Sequence, residues 1–489
     1  GPFYTLARQT LKVETAAQEV RLTLEKLPLQ PADSVSADLH VHGRASFDSS
    51  IPDGDRVLSF AAANVDVIAA TDHDVIGDYA ESLKLLNLEK RVAVMVGLET
   101  TGHIPWFTNP GSSVPRVIGH YNFWPLKIDY SKPRRGAPWD ELIEPGTLFT
   151  RVDPIFDGSG VIELNHPWAD LEFGRDLGYP RALGMNCKEP LPMKDDGTAA
   201  GRFFRTPEGS LYANNAHHAQ EVMNGSRNDS HLQYRAVWFC FLNQGIVRAG
   251  TANSDSHSLT DNVLGTPRNV VFAKTSAASF DAELFNEAVR KGRLVGTNGP
   301  MIEAVVRSGA REVRPSVDPL PAPAEGDQLL IKVRAAPWVS VKQVRIIVNG
   351  EVKRTFEDLE RPADPFGRGG LDRFERAVPL AELLPAGNRD AWIVVEAGEP
   401  LPLAGDLDDN GIPDTSDNDG DGKVDQADVK EGSKTGPIVP PPVPTDEADA
   451  NYHFGVVHHG GVPQAFTNPF IFDRDGGGFT GPGVNGGSK

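Results

Sequence analysis

Between residues 10 and 30 apolar and polar positions alternate (LKVETAAQEVRLTLEKL), a pattern that predicts one or two lead-in strands or an amphipathic helix. From about 35 to 305 the pattern changes to short apolar runs separated by helical stretches. VDVIAAT (65–71), VAVMVGLE (92–99), GVIELNH (160–166), QEVMNG (220–225) and IVRAGTANSD (246–255) predict strands. DRVLSFAAAN, ahead of the first run, predicts a helix, and LQYRAVWFCFLNQG, between the last two, a packed one. Alternating strands and helices predict an α/β domain with a parallel sheet. Histidine-bearing polar residues repeatedly follow the apolar run; in a β/α barrel that is the C-terminal rim, where active sites collect.

Beyond 310 the helical spacing is lost. QLLIKVRAAPWVSVKQVRIIVNGEVKRTF and DAWIVVEAG predict short strands with a hairpin at Asn349-Gly350, so a small β-sandwich is expected. Pro-rich RPSVDPLPAPAEG (314–326) leads into it. Residues 405–445 join an aspartate-rich run to PIVPPPVPTDE, an extended spacer. AFTNPFIFD (465–473) predicts a last strand returning to the sandwich, ahead of a glycine-rich end that frays. The expected organisation is a lead-in at 1–34, a barrel at 35–308 and a β-sandwich at 309–404. An aspartate-rich insert and spacer at 405–450 and a final strand and tail at 451–489 complete it.

Composition narrows the function. The 489 residues suffice for two or three domains, and 39% hydrophobic with 24% charged residues is ordinary for a globular protein. No apolar run approaches the roughly 20 residues of a spanning helix. With 67 acidic and 48 basic residues the net charge is -19, a surface that repels nucleic-acid phosphates. Cys187 and Cys240 allow at most one disulfide and cannot build a thiolate metal site. The opening Gly1-Pro2 reads as a protease scar, so a trimmed leader is compatible with the sequence.

The histidines and acids form a pattern. ADLHVHG places His40 and His42 two apart on one strand face, where both imidazoles can reach one ion. ATDHDVIGD supplies Asp72, His73 and Asp74 after an apolar strand, although an aspartate there also suits a helix N-cap. VGLET gives Glu99, VIGHYNFWPL His120, IELNHPW His166, and GTANSDSH Asp255 and His257. Each alone has a plain structural reading. Together, six of the thirteen histidines fall at successive strand ends, each near an acid. Imidazoles and carboxylates without thiolates suit Zn, Mn or Fe.

The ordered set DLHVH, TDHD, GLE, GHYN, NHP and SDSH resembles the PHP (polymerase and histidinol phosphatase) superfamily over about residues 35–305. SFDSSIP, GHYNFWPL and the trailing β region are most similar to its CehA/McbA branch, named after carbaryl hydrolase. The resemblance implies a distorted seven-stranded (β/α)7 barrel with an appended C-terminal β-sandwich and two or three metals at the rim. It implies that His40, His42, Glu99 and Asp255 hold one ion, and that Glu99 bridges to a second held by His120 and His166. Asp48, His73 and His257 would hold a third; at the Asp48 position relatives carry His or Asp, on a loop of varying length.

Two divalent ions about 3.5–4 Å apart lower the pKa of a bridging water and clamp the group under attack. No G-x-S-x-G elbow offers a serine nucleophile instead. A phosphoester, mono- or diester, is the small-molecule substrate such a cluster suits best. A carbamate or carboxylic ester is the alternative. A non-catalytic adhesion or scaffold module is a third reading, distinguished by closed rather than open coordination shells. Arg44 is a candidate to grip an anion, Asn224 to hydrogen-bond substrate, and His217 and His218 to protonate a leaving group. Their plainer readings are a rim arginine, a turn residue and two surface histidines.

The aspartate-rich run carries a second signal. Asp417, Asp419, Asp421, Lys423, Asp425 and Asp428 fall at positions 1, 3, 5, 7, 9 and 12 of an EF-hand-type calcium loop, with Gly422 at 6. Asp406, Asp408, Asn410, Gly411, Asp414 and Asp417 repeat the spacing upstream. Without clear flanking helices, the run resembles dockerin or thrombospondin type 3 repeats. Loops of low calcium affinity belong where calcium is millimolar, so a secreted or periplasmic protein is expected.

Overall fold

The computed structural model describes residues 1–13, 15, 17–108, 115–171, 175–225, 230–260, 265–357, 359, 362–419, 421–429, 454 and 461–483. The molecule is a mixed α/β protein with many strands and few helices. Val35–Val41, Val67–Ala70 and Ala93–Val96 pair in parallel, linked by the helices Asp53–Ala62 and Ala80–Leu86. Val67–Ala70 (VIAA) is buried throughout, as a parallel strand covered on both faces must be. A second sheet runs Ala249–Asn253, Ala219–Asn224, Phe156–Leu164, Tyr121–Leu126, Leu98–Thr100. Its first three strands are parallel and the remaining pairings antiparallel. The two sheets meet at isolated bridges, Val41 with Ser256 and His73 with Glu99, rather than through continuous ladders.

Two bulges aim the polar side chains. From Asp38 to Val41 the first strand advances three residues while its partner advances two, Ile68 to Ala70. Val41 therefore faces outward, packed with Val57 and Phe60 of the covering helix, and His40 and His42 turn between the sheets. In Ala219–Asn224 the step from Glu221 to Met223 matches a single step, Thr251 to Ala252, on the neighbour. Val222 and Met223 both pack outward against Trp238 and Phe466, so Glu221 and Asn224 share the interior side and hydrogen-bond at 2.8 Å.

Met301–Ser308 pairs with Gln328–Arg334, so the chain changes sheet before 301, inside the span expected to be barrel. Leu329, Ile331 and Val333 alternate inward along Gln328–Arg334, as in a strand with one wet face. Gln343–Val348 and Ala391–Gly398 carry the facing layer. The C-terminal strands join the parts. Gln464–Thr467 pairs with both Leu294–Thr297 and Ala391–Gly398, and Phe470–Asp473 pairs with the latter, giving one eleven-stranded sheet. A buried ion-pair cluster reinforces the joint: Arg235 of the helix His231–Asn243 and Arg345 of Gln343–Val348 both bind Glu396.

The alternating lead-in forms neither strand nor helix among its described residues; only a bridge between Tyr4 and Lys26 closes its base. Alternation needs a sheet edge to bury one face, and without one Val13 is 93% exposed. The aspartate-rich run folds back onto the α/β part. Ile412 packs into the core around Phe203 and Phe241, Cys187 N–H donates to Asn410 O, and Cys187 is disulfide-bonded to Cys240. The Pro-rich spacer falls within 430–453, outside the described residues.

Candidate metal centre

Glu99, the middle residue of the short strand Leu98–Thr100 and fully buried, is the hub. Its Oε2 lies 3.0 Å from His40 Nε2, 3.1 Å from His42 Nε2 and 3.2 Å from His73 Nδ1. Its Oε1 lies 3.1 Å from His120 Nδ1 and 3.6 Å from His166 Nε2. Asp255 Oδ1 stands 3.1 Å from both His40 Nε2 and His42 Nε2. Asp48 Oδ2 is 3.3 Å from His73 Nε2 and 3.1 Å from His257 Nε2. All nine residues singled out as ligands are thus brought together.

The donor atoms gather into three groups, each within 4.8 Å: His40, His42, Glu99 and Asp255; His42, Asp48, His73 and His257; and His73, Glu99 and His120. His73 and His42 are shared more widely than the resemblance implied, and His166 reaches the cluster through Glu99 Oε1.

The chemistry of this donor set fits divalent cations. Ligands about 2.0–2.1 Å from a tetrahedral ion are about 3.3 Å from one another. The first group has edges of 3.0 to 3.1 Å between its imidazole and carboxylate atoms. His42 Nε2, His73 Nδ1, His166 Nδ1 and His257 Nε2 are buried with no hydrogen-bond partner of good geometry among the described residues. Buried polar atoms without partners are costly, and a bound ion would satisfy those that face the cluster.

Electrostatics agree. Burial and the carboxylates act oppositely on the histidines. Burial lowers His40, yet Asp255, Glu99 and Glu221 leave it well above its ordinary value. Burial lowers His257 too, but Asp255 and Asp48 raise it to about 9. Burial would raise Glu99 and Asp255; the surrounding imidazoles hold both well below the carboxylate range. His120 is pulled down to about 4 by burial. The carboxylates demand positive charge, which protons supply here and divalent ions supply better.

The supports are local. Ser46 Oγ accepts from His73 N–H, donates to Asp48 Oδ1 and lies 3.1 Å from His42 Nδ1, fixing the loop after the first strand. Asn165 donates to Glu99 Oε1 at 2.8 Å, and Asn224 to Asp255 Oδ2 at 3.2 Å. Asp74, His166 and Asp255 take positive φ (58°, 24° and 49°), a conformation rare outside glycine that marks strained turns at functional sites. Gly43, directly after His42, leaves the space into which Tyr79 packs, since a Cβ would lie 2.7 Å from its ring.

The weaker candidates separate. Asn224 lies in the centre, on Asp255. Arg44 is exposed, with its N–H 3.4 Å from Asp53 Oδ1. His217 and His218 are a correction: they precede the strand Ala219–Asn224, at the end opposite the cluster. His217 is buried beside Phe203 and Phe241, and His218 Nδ1 accepts from Ile162 N–H. His218 is only half-buried, and neither reaches the cluster. Glu221, Glu163, Asn165 and Ser46 were missed. Glu221 could not be found from spacing, since i and i+3 share a strand face only across a bulge.

In the aspartate-rich run, Asp406 Oδ2 accepts from Gly411 N–H at 2.8 Å and Asp417 Oδ2 from Gly422 N–H at 2.9 Å, position 1 to position 6 in both loops. The Asp406, Asp408 and Asp414 carboxylates lie within 4.8 Å of one another. Lys188 also lies on Asp406 at 2.7 Å.

No family model matches the chain, and no curated protein matches it. Seven chains of solved structures do, among them an amidohydrolase from Chromobacterium violaceum with bound sulfate and no metal. It is 15% identical, over 46% of this chain and 89% of that one, at a TM-score of 0.29. A likeness that loose defines neither fold nor chemistry. What the site itself defines is a buried imidazole–carboxylate cluster able to bind metal ions.

Proposed function

We propose that this chain is a metal-dependent hydrolase of the PHP kind, close to the CehA/McbA branch, acting on a phosphoester. One observation carries the reading: five histidines converge on a buried glutamate, and Asp255, Asp48 and His257 close on the same imidazoles, with donor spacings that suit divalent cations. The ligand assignment follows the resemblance: His40, His42, Glu99 and Asp255 for one ion, Glu99, His120 and His166 for a second, Asp48, His73 and His257 for a third. Zn, Mn or Fe bound there would supply Lewis acidity and an activated water.

The chain's own groups do the rest. Glu99 holds five imidazoles in register, while Asn165 and Asn224 fix the free turns of Glu99 and Asp255. Arg44, exposed on the loop after His42, is available to an anionic substrate oxygen. Phe47, 76% exposed with its ring 4.9 Å from His73, flanks the same approach.

The domain plan belongs to this reading: a barrel that ends before Met301, a sandwich, and a calcium-binding insert between sandwich strands. Calcium in the insert rests on the repeated bond from position 1 to position 6. The Cys187–Cys240 disulfide and the lack of a helix long and apolar enough to cross a membrane, among the described residues, are compatible with a secreted or periplasmic protein.

The test is a substrate panel of p-nitrophenyl phosphate, bis-p-nitrophenyl phosphate and p-nitrophenyl acetate, run with added Zn, Mn or Fe beside a His40→Ala variant. Turnover of a phosphoester that the variant loses supports the proposal. Turnover of acetate alone transfers the activity to carboxylic esters. No turnover of any with metal bound would refute the phosphoesterase reading.

A further inference from the structure

Glu221 is fully buried and lies outside all three donor groups, yet it touches two of the residues in the cluster. Its Oε1 lies 2.9 Å from His40 Nδ1, on the ring edge away from Nε2. His40 Nε2 is the atom that faces Glu99 Oε2 at 3.0 Å and Asp255 Oδ1 at 3.1 Å. Glu221 therefore stands behind the imidazole rather than beside the ion. Its Oε2 accepts from the backbone N–H of His166 at 2.7 Å, where φ is 24°, and from Asn224 Nδ2 at 2.8 Å.

Resting on the metal-centre reading above, we propose that Glu221 is a positioning residue of the centre. It fixes His40 with its proton on Nδ1 and its lone pair on Nε2 toward the ion, and it closes the strained turn that presents His166. A carboxylate behind a ligating imidazole selects the tautomer, locks the ring and makes the far nitrogen a better donor. A turn at positive φ persists only when its surroundings over-determine it, and the short bond to the His166 N–H is such a constraint.

The second bulge makes the double contact geometrically available, since it turns Glu221 and Asn224 to the same side. Asn253 Nδ2 bridges Glu221 Oε1 at 2.9 Å and Glu163 Oε1 at 3.2 Å. Burial and the charge of Glu221 raise Glu163 to about 8, well above its ordinary value.

The test uses the full chain loaded with zinc. Chelator competition should show roughly 10- to 100-fold weaker zinc binding for Glu221→Gln, whose amide must turn its NH2 toward two of the four donors that the carboxylate now accepts from. Glu163→Gln, which keeps every contact of Glu221, should stay within about threefold of the parent. In protein labelled with ¹⁵N-histidine, the ¹H–¹⁵N spectrum of the zinc form should show an imidazole protonated at Nδ1 and metal-bound at Nε2. Its downfield Nδ1–H should move upfield in Glu221→Gln.

Zinc uptake by Glu221→Gln within about threefold of the parent would overturn the inference alone. So would a parent spectrum with no Nδ1-protonated, Nε2-bound histidine; that spectrum decides the matter even if the variant fails to fold. A parent chain that takes up no zinc would overturn the metal-centre reading itself.

Discussion

Replacing Glu396 by Gln should cost the protein about 3 kcal/mol at neutral pH and much less in acid. Glu396 is 1% exposed and accepts from Arg235 Nη2 at 3.1 Å and from Arg345 Nε at 3.1 Å. Burial alone would raise its pKa, but the two guanidiniums hold it at about 2 against an ordinary 4.5. That depression corresponds to about 3 kcal/mol of stability. Because the folded value is the lower one, the stabilisation is full well above pH 4.5 and is lost as pH falls through about 2.

At pH 3 the folded carboxylate is still ionised while the unfolded one is mostly protonated, leaving about 1.5 kcal/mol. Urea melts followed by tryptophan fluorescence at pH 7 and pH 3 read both values. The loss should also make the two halves of the melt separable, since Arg235 and Arg345 belong to different parts of the molecule. A variant within 1 kcal/mol of the parent at pH 7, or a gap that fails to shrink at pH 3, would refute the reasoning.

His217 is buried with neither ring nitrogen hydrogen-bonded among the described residues, and burial holds it neutral, well below its ordinary pKa. His217→Phe, beside Phe203 and Phe241, should raise stability by about 1 kcal/mol, seen as a higher Tm; a fall of that size would reveal a hidden partner. The Cys187–Cys240 bridge closes a separation of 53 residues, worth about 4 kcal/mol in chain entropy. A Cys187→Ser/Cys240→Ser double variant should therefore melt well below the parent, and an unchanged Tm would contradict the pairing. Calcium added to chelator-treated protein should raise Tm, and Asp417→Ala, shared by both loops, should abolish the rise; a variant that responds like the parent would refute the shared ligand.

Much of the site was legible because histidines and acids recur at strand ends, and order along the chain survives folding. His40 and His42 could be placed on one face from spacing alone. What made that face the interior, the bulge between Asp38 and Val41, leaves no mark in the residue pattern. The second bulge hid Glu221 in the same way, although its neighbour Asn224 was singled out. His217 and His218 were misplaced because a histidine pair reads the same at either end of a strand. The lead-in failed for another reason: alternation describes what a strand offers, not whether a partner accepts it. AFTNPFIFD, expected as one strand, forms two, Gln464–Thr467 and Phe470–Asp473, and the pairing of the first with both Ala391–Gly398 and Leu294–Thr297 depends on contacts that no local pattern encodes.

The most direct test of the central claim is elemental mass spectrometry of protein purified without chelator, for the parent and for His40→Ala. The account predicts two or three equivalents of Zn, Mn or Fe per chain in the parent and at least one fewer in the variant. A parent free of transition metals under conditions that retain calcium would contradict it.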